Sequence, residues 1–327
     1  VLGDETAAVG MIFISGARLR ELVPMRDAIS AVRIAFEKVS NGRIEQPTRL
    51  VAAGGAAVAM LALDSDSGNS VVKALTVRPD NPGAGRPAVQ AVVIYFDGRT
   101  GTPEAVLDGT SLTALRTGAA AGVATDLMAD PKARVLAVIG AGGQCADQVR
   151  AVCSVRPIAE VRIASRTYEN SVDVAKRLQD EFPKLKFSAA TTNTQAATGA
   201  DVICTVTGAS QPLFGEEGLA SNVHINAMGA FTPTMCELPP EVLRKACVVA
   251  VDELEAAEAE AGDLLQAVAG GYLKWADVVE LGAIARGLRP RAGWTVFKSV
   301  GIGAQDLEVA ELAVSRARVG TPSESTP

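Results

Sequence analysis

The chemistry-bearing residues fall into two groups, and the first is a glycine-rich turn. Gly140-Ala141-Gly142-Gly143-Gln144 follows the apolar run Val135–Ile139 and precedes a stretch of helical character. Gly140 permits a tight turn, and Gly142 lets backbone N–H groups come close to a pyrophosphate. The following helix N-terminus adds partial positive charge. A bare G-x-G says little alone; here the strand before it, the helix after it and the alternation beyond it agree on a dinucleotide-binding turn. The third position of the motif is Cys145 rather than glycine, which puts a small side chain at the helix–strand contact. The next strand, at 160–164, ends in Ser165-Arg166-Thr167 with no acid to bond a ribose 2′-hydroxyl. Two hydroxyls and a guanidinium suit a 2′-phosphate instead, so the expected cofactor is NADPH, with NADH as the other possibility.

The second group is cationic. Arg49, Lys73 and Arg116 each stand in an apolar or small-residue context: Gln46-Pro-Thr-Arg49, Val71-Val-Lys73-Ala-Leu and the Ala-rich run from Ser111. Such side chains seldom go inside without a partner, and ligand pockets tend to lie between domains. Converging there, they would grip a carboxylate; spacing alone equally allows each to be salt-bridged or to reach the surface. His224 is the only histidine, but its place in a strand ahead of Asn226 reads as structural. Asp108-Gly109 reads as a turn, or as an acid that orients Arg116 or a substrate.

These residues need elements to hold them. The 327-residue chain fits two domains. Apolar residues recurring between Ser15 and Val39 predict one helix, and strands and turns follow over 48–106, suggesting an antiparallel or mixed sheet. A helix is expected over 111–128. Strands are expected at 134–139, 160–164, 186–190, 201–205, 222–228 and 248–251, with helices at 144–155 and 167–182 between the first three. That alternation is the pattern of a doubly wound parallel sheet. Two helical stretches, 254–279 and 303–318, close the chain. Met11 reads as a natural start with residues 1–10 upstream of it, and the last six residues as frayed.

The formal net charge of −6 argues against general nucleic-acid affinity. No apolar stretch reaches the ~20 residues that span a bilayer. The five cysteines contain no C-x-x-C pair, so zinc and thioredoxin spacings are absent and no metal is expected. An odd number suits a reducing compartment, and a cytoplasmic location is expected.

With these residues in place, the chain resembles the ornithine cyclodeaminase/mu-crystallin family from Met11 to about Arg318. The resemblance rests on ordered motifs: those above together with Gln90, Thr113-Ala-Leu-Arg116-Thr117, Thr205-Val-Thr207, His224-Ile-Asn-Ala-Met-Gly229, Glu237-Leu238, Gly262-Asp263 and Thr295-Val-Phe-Lys-Ser-Val-Gly301. It implies an α/β protein: a Rossmann-type doubly wound parallel sheet over 119–302, plus an α+β substrate and dimerisation domain over 1–118, completed by 303–327. It implies a homodimer. It implies that Arg49, Lys73 and Arg116 serve the chemistry and bind the substrate carboxylate, with Gln90 and Phe231 also at the substrate. Thr117, Gly140, Gly142, Gly143, Gln144, Ser165, Arg166, Thr167, Thr207, Met228 and Val300 would line the cofactor.

One departure bears on the reaction. Family cyclodeaminases carry an aspartate after the His-x-Asn-Ala-x-Gly-Gly stretch, whereas here Gly229-Ala230 runs into Phe231-Thr-Pro. An aromatic ring cannot move a proton or hold an ammonium by charge. The chain is therefore more similar to the imine-reducing branch, which reduces Δ1-pyrroline-2-carboxylate or Δ1-piperideine-2-carboxylate to proline or pipecolate. Lys73 is then the proton-donor candidate. The rival expectations are a lyase (hydroxyproline dehydratase or amino-acid cyclodeaminase), a reductase of acyclic imino or keto acids of the alanine or iminosuccinate type, and a crystallin-like protein that binds nucleotide without turnover.

Overall fold

The computed structural model describes residues 10–319 apart from 53, 55 and 288–292. The expectations for residues 1–9 and for the last six positions lie outside the described residues. The chain begins with β1 (Ile12–Ile14), α1 (Gly16–Leu22), α2 (Met25–Val39), β2 (Ile44–Glu45), β3 (Leu50–Ala52), β4 (Ala57–Asp64), β5 (Ser70–Val77), β6 (Val89–Phe96), β7 (Pro103–Asp108) and α3 (Gly109–Met128). The single helix expected over Ser15–Val39 is two, because Pro24 caps α2 and cannot continue α1. These strands form a mixed sheet in the order β1-β7-β6-β5-β4-β2, with β3 also on β4. Among the described pairs of this sheet only β1 and β7 run parallel.

Strand pairing gives this sheet two unlike faces. Met60, Lys73, Val93, Leu107 and Ile14 stand side by side across five strands, and all are buried. The neighbouring row, Leu61, Val72, Ile94, Val106 and Phe13, faces the other way. Period-two alternation thus sends Lys73 inward among apolar neighbours.

The second half contains β8 (Val135–Ile139), α4 (Cys145–Val155), β9 (Glu160–Ala164), α5 (Tyr168–Glu181), β10 (Lys186–Ala189), α6 (Asn193–Ala197), β11 (Val202–Thr205), β12 (His224–Ala227), α7 (Pro240–Lys245), β13 (Val248–Val251), α8 (Leu254–Glu260), α9 (Gly262–Ala269), β14 (Val278–Glu280), α10 (Leu281–Ala285) and β15 (Thr295–Lys298). All eight described strands are parallel, in the order β10-β9-β8-β11-β12-β15-β13-β14. The chain is thus an α/β protein with a Rossmann-type sheet. The expected helix over 254–279 is α8 and α9 followed by a short turn and β14. β15 also escapes a reading by hydrophobic pattern: it is four residues long and ends in the fully buried charge of Lys298.

α3 lies between the layers and is buried almost throughout, which its Ala-rich composition allows. The final helix, α11 (Gly303–Val319), packs with α2, α3 and the inner face of the first sheet in one core. Phe36 of α2 meets Phe297 of β15 edge-on at 5.8 Å, joining that core to the parallel sheet. Such a contact contributes roughly 0.5–1.5 kcal/mol beyond burial. Arg20 of α1 makes a bidentate pair with buried Asp147 of α4 at 2.8 and 2.9 Å. Among the described residues no helix is long and apolar enough to cross a membrane.

Candidate active site

The carboxyl edge of the parallel sheet positions the site. Ile139, Thr205, Ala227 and Lys298 end β8, β11, β12 and β15 in register, so the residues that follow them line one edge over about 14 Å, three strand spacings. At one end is the glycine turn. Gly140 has φ +115°, and a Cβ there would stand 2.6 Å from the Val206 carbonyl oxygen. Gly142 and Gly143 are exposed, with nothing within 4 Å of where a Cβ would be. Beyond them α4 opens without a side-chain cap, leaving N-terminal amides for an anion. Gln144 Oε1 and Thr117 Oγ1 are buried without hydrogen-bond partners. An open cradle of this kind, beside uncommitted polar atoms, fits a dinucleotide pyrophosphate.

The loop after β9 is next to the turn. Ser165 donates its hydroxyl to the Thr167 carbonyl at 2.6 Å and lies 2.9 Å from the Ser171 hydroxyl, so it is spent on the local turn. Arg166 and Thr167 are exposed. Further along, Met228 and Val300 are buried at the ends of β12 and β15. Thr207 gives both its amide and its hydroxyl to Glu237, so its side chain is already committed within the protein.

At the β15 end the three cations gather. Arg49 donates to the Val300 and Gly301 carbonyls at 3.1 and 2.7 Å and pairs with Glu260 at 2.7 Å. Arg116 lies against Gly301, whose φ is +78°; a Cβ there would be 2.5 Å from Nη1. Arg116 also donates to Gln305 at 2.7 Å and pairs with Asp306 at 3.3 Å. Lys73 pairs with the other oxygen of Asp306 at 2.5 Å. Burial pushes the Lys73 ammonium down to about 7; Arg116 and Arg49 push the same way, while Asp306 opposes them. Asp252, just after β13, steadies this corner by accepting from the Ser299 hydroxyl and from the amides of Val300 and Gly301.

Two expected roles need correcting. Gln90 is not brought to the cations: it pairs with Thr76, three residues from Lys73, and so stands exposed on the opposite face of the sheet. Asp108 does not orient Arg116; its carboxylate caps α3 by accepting from the Ser111 amide. His224 is buried between Thr295 and Asn226, and burial holds it down to about 3, a neutral structural group. Phe231 is half-buried beyond the end of β12, packed on the second core.

Sequence reasoning missed Asp306, Gln305 and Glu260. No local pattern marks them: Asp306 is an ordinary acid in the first turn of α11, Gln305 is its uncharged neighbour, and Glu260 is one of several acids on α8. The available signal was indirect, because three inward cations require counter-charge.

The model of the ornithine cyclodeaminase/mu-crystallin family matches residues 11–320. A Δ1-pyrroline-2-carboxylate reductase of Bacillus cereus is 37% identical over 318 residues, covering 94% of this chain and 97% of the relative. Among solved structures, Thermococcus litoralis Δ1-pyrroline-2-carboxylate reductase in complex with NADH and L-proline superposes with a TM-score of 0.89 at 30% identity, covering 94% of this chain and 98% of that one. An archaeal alanine dehydrogenase dimer with bound NAD gives 0.86 at 30% identity, covering 94% and 96%.

Proposed function

Since this chain belongs to the ornithine cyclodeaminase/mu-crystallin family, we propose that it is an NAD(P)H-dependent oxidoreductase acting on C=N bonds. Its substrate in this reading is a small cyclic imino acid, Δ1-pyrroline-2-carboxylate or Δ1-piperideine-2-carboxylate, reduced to L-proline or L-pipecolate. The observation that carries the reading is the gathering of Arg49, Lys73 and Arg116 around Gly301 and Asp306, one strand away from Phe231. Two guanidinium forks and an ammonium suit one carboxylate.

A reduced nicotinamide dinucleotide, which the Gly140–Gln144 turn and the loop after β9 would hold, would supply the hydride. The residues of the chain do the rest. Arg49 and Arg116 hold the carboxylate and fix the distance and angle of the imine carbon. Lys73 titrates near neutrality and gives its proton to the imine nitrogen, which makes the carbon a far better hydride acceptor. Phe231 offers an apolar surface to the ring and no charge for an ammonium, which favours reduction over deamination.

The cofactor we assign is NADPH, because β9 ends without an acid and Arg166 stands exposed beside the turn. We also assign a homodimer. The outer row Leu61, Val72, Ile94, Val106 and Phe13 is wholly apolar, with Phe13 71% exposed, and a patch of that kind marks an interface.

The test is an absorbance assay at the reduced-nicotinamide band. Each cyclic imine is offered with NADPH and with NADH, beside ornithine and hydroxyprolines with NAD. Consumption of NADPH with either cyclic imine is the expected result. The likeness to alanine dehydrogenase favours an acyclic imino acid as the second reading, which ammonia-dependent turnover of pyruvate, without turnover of the rings, would select.

A further inference from the structure

Glu237 sits in the loop between β12 and α7, with its side chain fully buried. Its carboxylate accepts five hydrogen bonds. Oε1 takes the Thr207 amide at 2.7 Å and the Thr207 hydroxyl at 2.8 Å. Oε2 takes the Thr205 hydroxyl at 2.9 Å, the Gly229 amide at 2.8 Å and the Ala230 amide at 3.1 Å. Burial alone pushes such a carboxyl upward. Five donors converge on its two oxygens and tie the carboxyl to the strand ends and turns around it.

A second acid supports the first. Asp263 Oδ1 accepts from the amides of Glu237 and Leu238 at 2.6 and 2.8 Å. Asp263 Oδ2 pairs with Lys298 at 2.9 Å, both fully buried, and the Lys298 ammonium also donates to the Ala230 carbonyl. The network therefore joins the ends of three adjacent strands, β11, β12 and β15. Gly229 is pinched inside it: a Cβ there would lie 2.3 Å from the Thr207 amide and 2.5 Å from Glu237 Oε1.

We infer that Glu237, backed by Asp263 and Lys298, is a positioning residue that clamps the Thr205–Thr207 and Gly229–Ala230 turns together and so fixes where Phe231 meets the substrate. The inference rests on the reading that dinucleotide and imine meet at this edge. Every donor on the carboxylate belongs to a strand end or to a turn at that edge, which is where errors of about 1 Å cost rate.

The test compares Glu237→Gln with Thr205→Val in the full-length protein. The amide is isosteric but puts an N–H₂ among donors; the valine removes one hydrogen bond and touches no ligand. In the Gln variant, hydrogen exchange at the Gly229 and Ala230 amides should accelerate at least 100-fold, with most of the fold still protected. Dinucleotide binding, read by nicotinamide fluorescence, should weaken less than fivefold. Turnover per folded molecule should fall at least 30-fold, and the kinetic isotope effect with 4-deuterated cofactor should rise. The valine should lose three- to fivefold with the same rise in isotope effect. Wild-type exchange at those amides, or wild-type turnover and isotope effect per folded molecule, overturns the inference, and if the Gln variant does not fold, wild-type values in Thr205→Val overturn it equally. If the wild-type protein reduces no cyclic imine, the functional reading fails, and exchange and dinucleotide binding still decide the clamp.

Discussion

Lys73 donates a hydrogen bond to Asp306 at 2.5 Å, although 233 positions separate them in the chain and neither is exposed. Arg116 shares the second oxygen of the same carboxylate. One acid from the last helix thus sets the position and the charge balance of two of the three cations.

The first prediction concerns pH. Lys73 titrates at about 7 in the fold, against 10.5 in the unfolded chain. As the proton donor it must be charged, so kcat/KM for imine reduction should fall above about pH 7. Asp306→Asn removes the charge that opposes the downward shift, and the falling limb should move to lower pH. For stability the sign is set by proton binding. Between about 7 and 10.5 the unfolded chain holds a proton that the folded one has released, so this group makes the fold more stable as pH rises through that window. Urea midpoints of the wild type and Lys73→Met should differ in slope there. A limb that stays put or moves upward in Asp306→Asn contradicts the assignment.

The second concerns Arg49, which is partly exposed and less tightly enclosed than Arg116. Arg49→Gln removes a charge-assisted contact of roughly 1.5–3 kcal/mol. KM for the imine should rise about 10- to 100-fold, with dinucleotide affinity nearly unchanged. Steady-state kinetics and a binding titration check both; loss of dinucleotide binding instead would move Arg49 to a different role.

The third concerns cofactor choice. Arg166→Asp places an acid after β9, where a 2′-phosphate would be repelled and a 2′-hydroxyl accepted. KM for NADPH should rise by about 10- to 100-fold, with little change for NADH. An unchanged preference would remove Arg166 from the cofactor site.

The fourth concerns assembly. Phe13→Asp introduces a charge into the outer apolar row of the first sheet. Sedimentation should show a dimer for the wild type and a monomer for the variant at micromolar concentration. A wild-type monomer would leave that face without its proposed partner.

Legibility in the sequence followed how local each constraint is. The turn at Gly140 was readable because its backbone angle and the approach of Val206 demand glycine at that one position. Lys73 was readable because a charge inside a β-branched run is conspicuous. Asp306 was not, since its partners lie on β5 and α3, far away in the chain. Gln90 is placed at the substrate by the resemblance alone, and a motif does not carry register: a separation of three from Thr76 to Lys73 turns its side chain to the other face. β15 was hidden by Lys298, whose burial depends on Asp263. The resemblance carried Arg49 and Arg116 further than their own contexts could.

The most direct test of the account is a crystal structure with oxidised dinucleotide and L-proline bound. The account predicts the proline carboxylate within hydrogen-bonding distance of Arg49, Lys73 and Arg116, with its ring carbon facing the nicotinamide. A carboxylate bound elsewhere, with those three side chains still paired only to Asp306, Gln305, Glu260 and the Val300–Gly301 carbonyls, would contradict it.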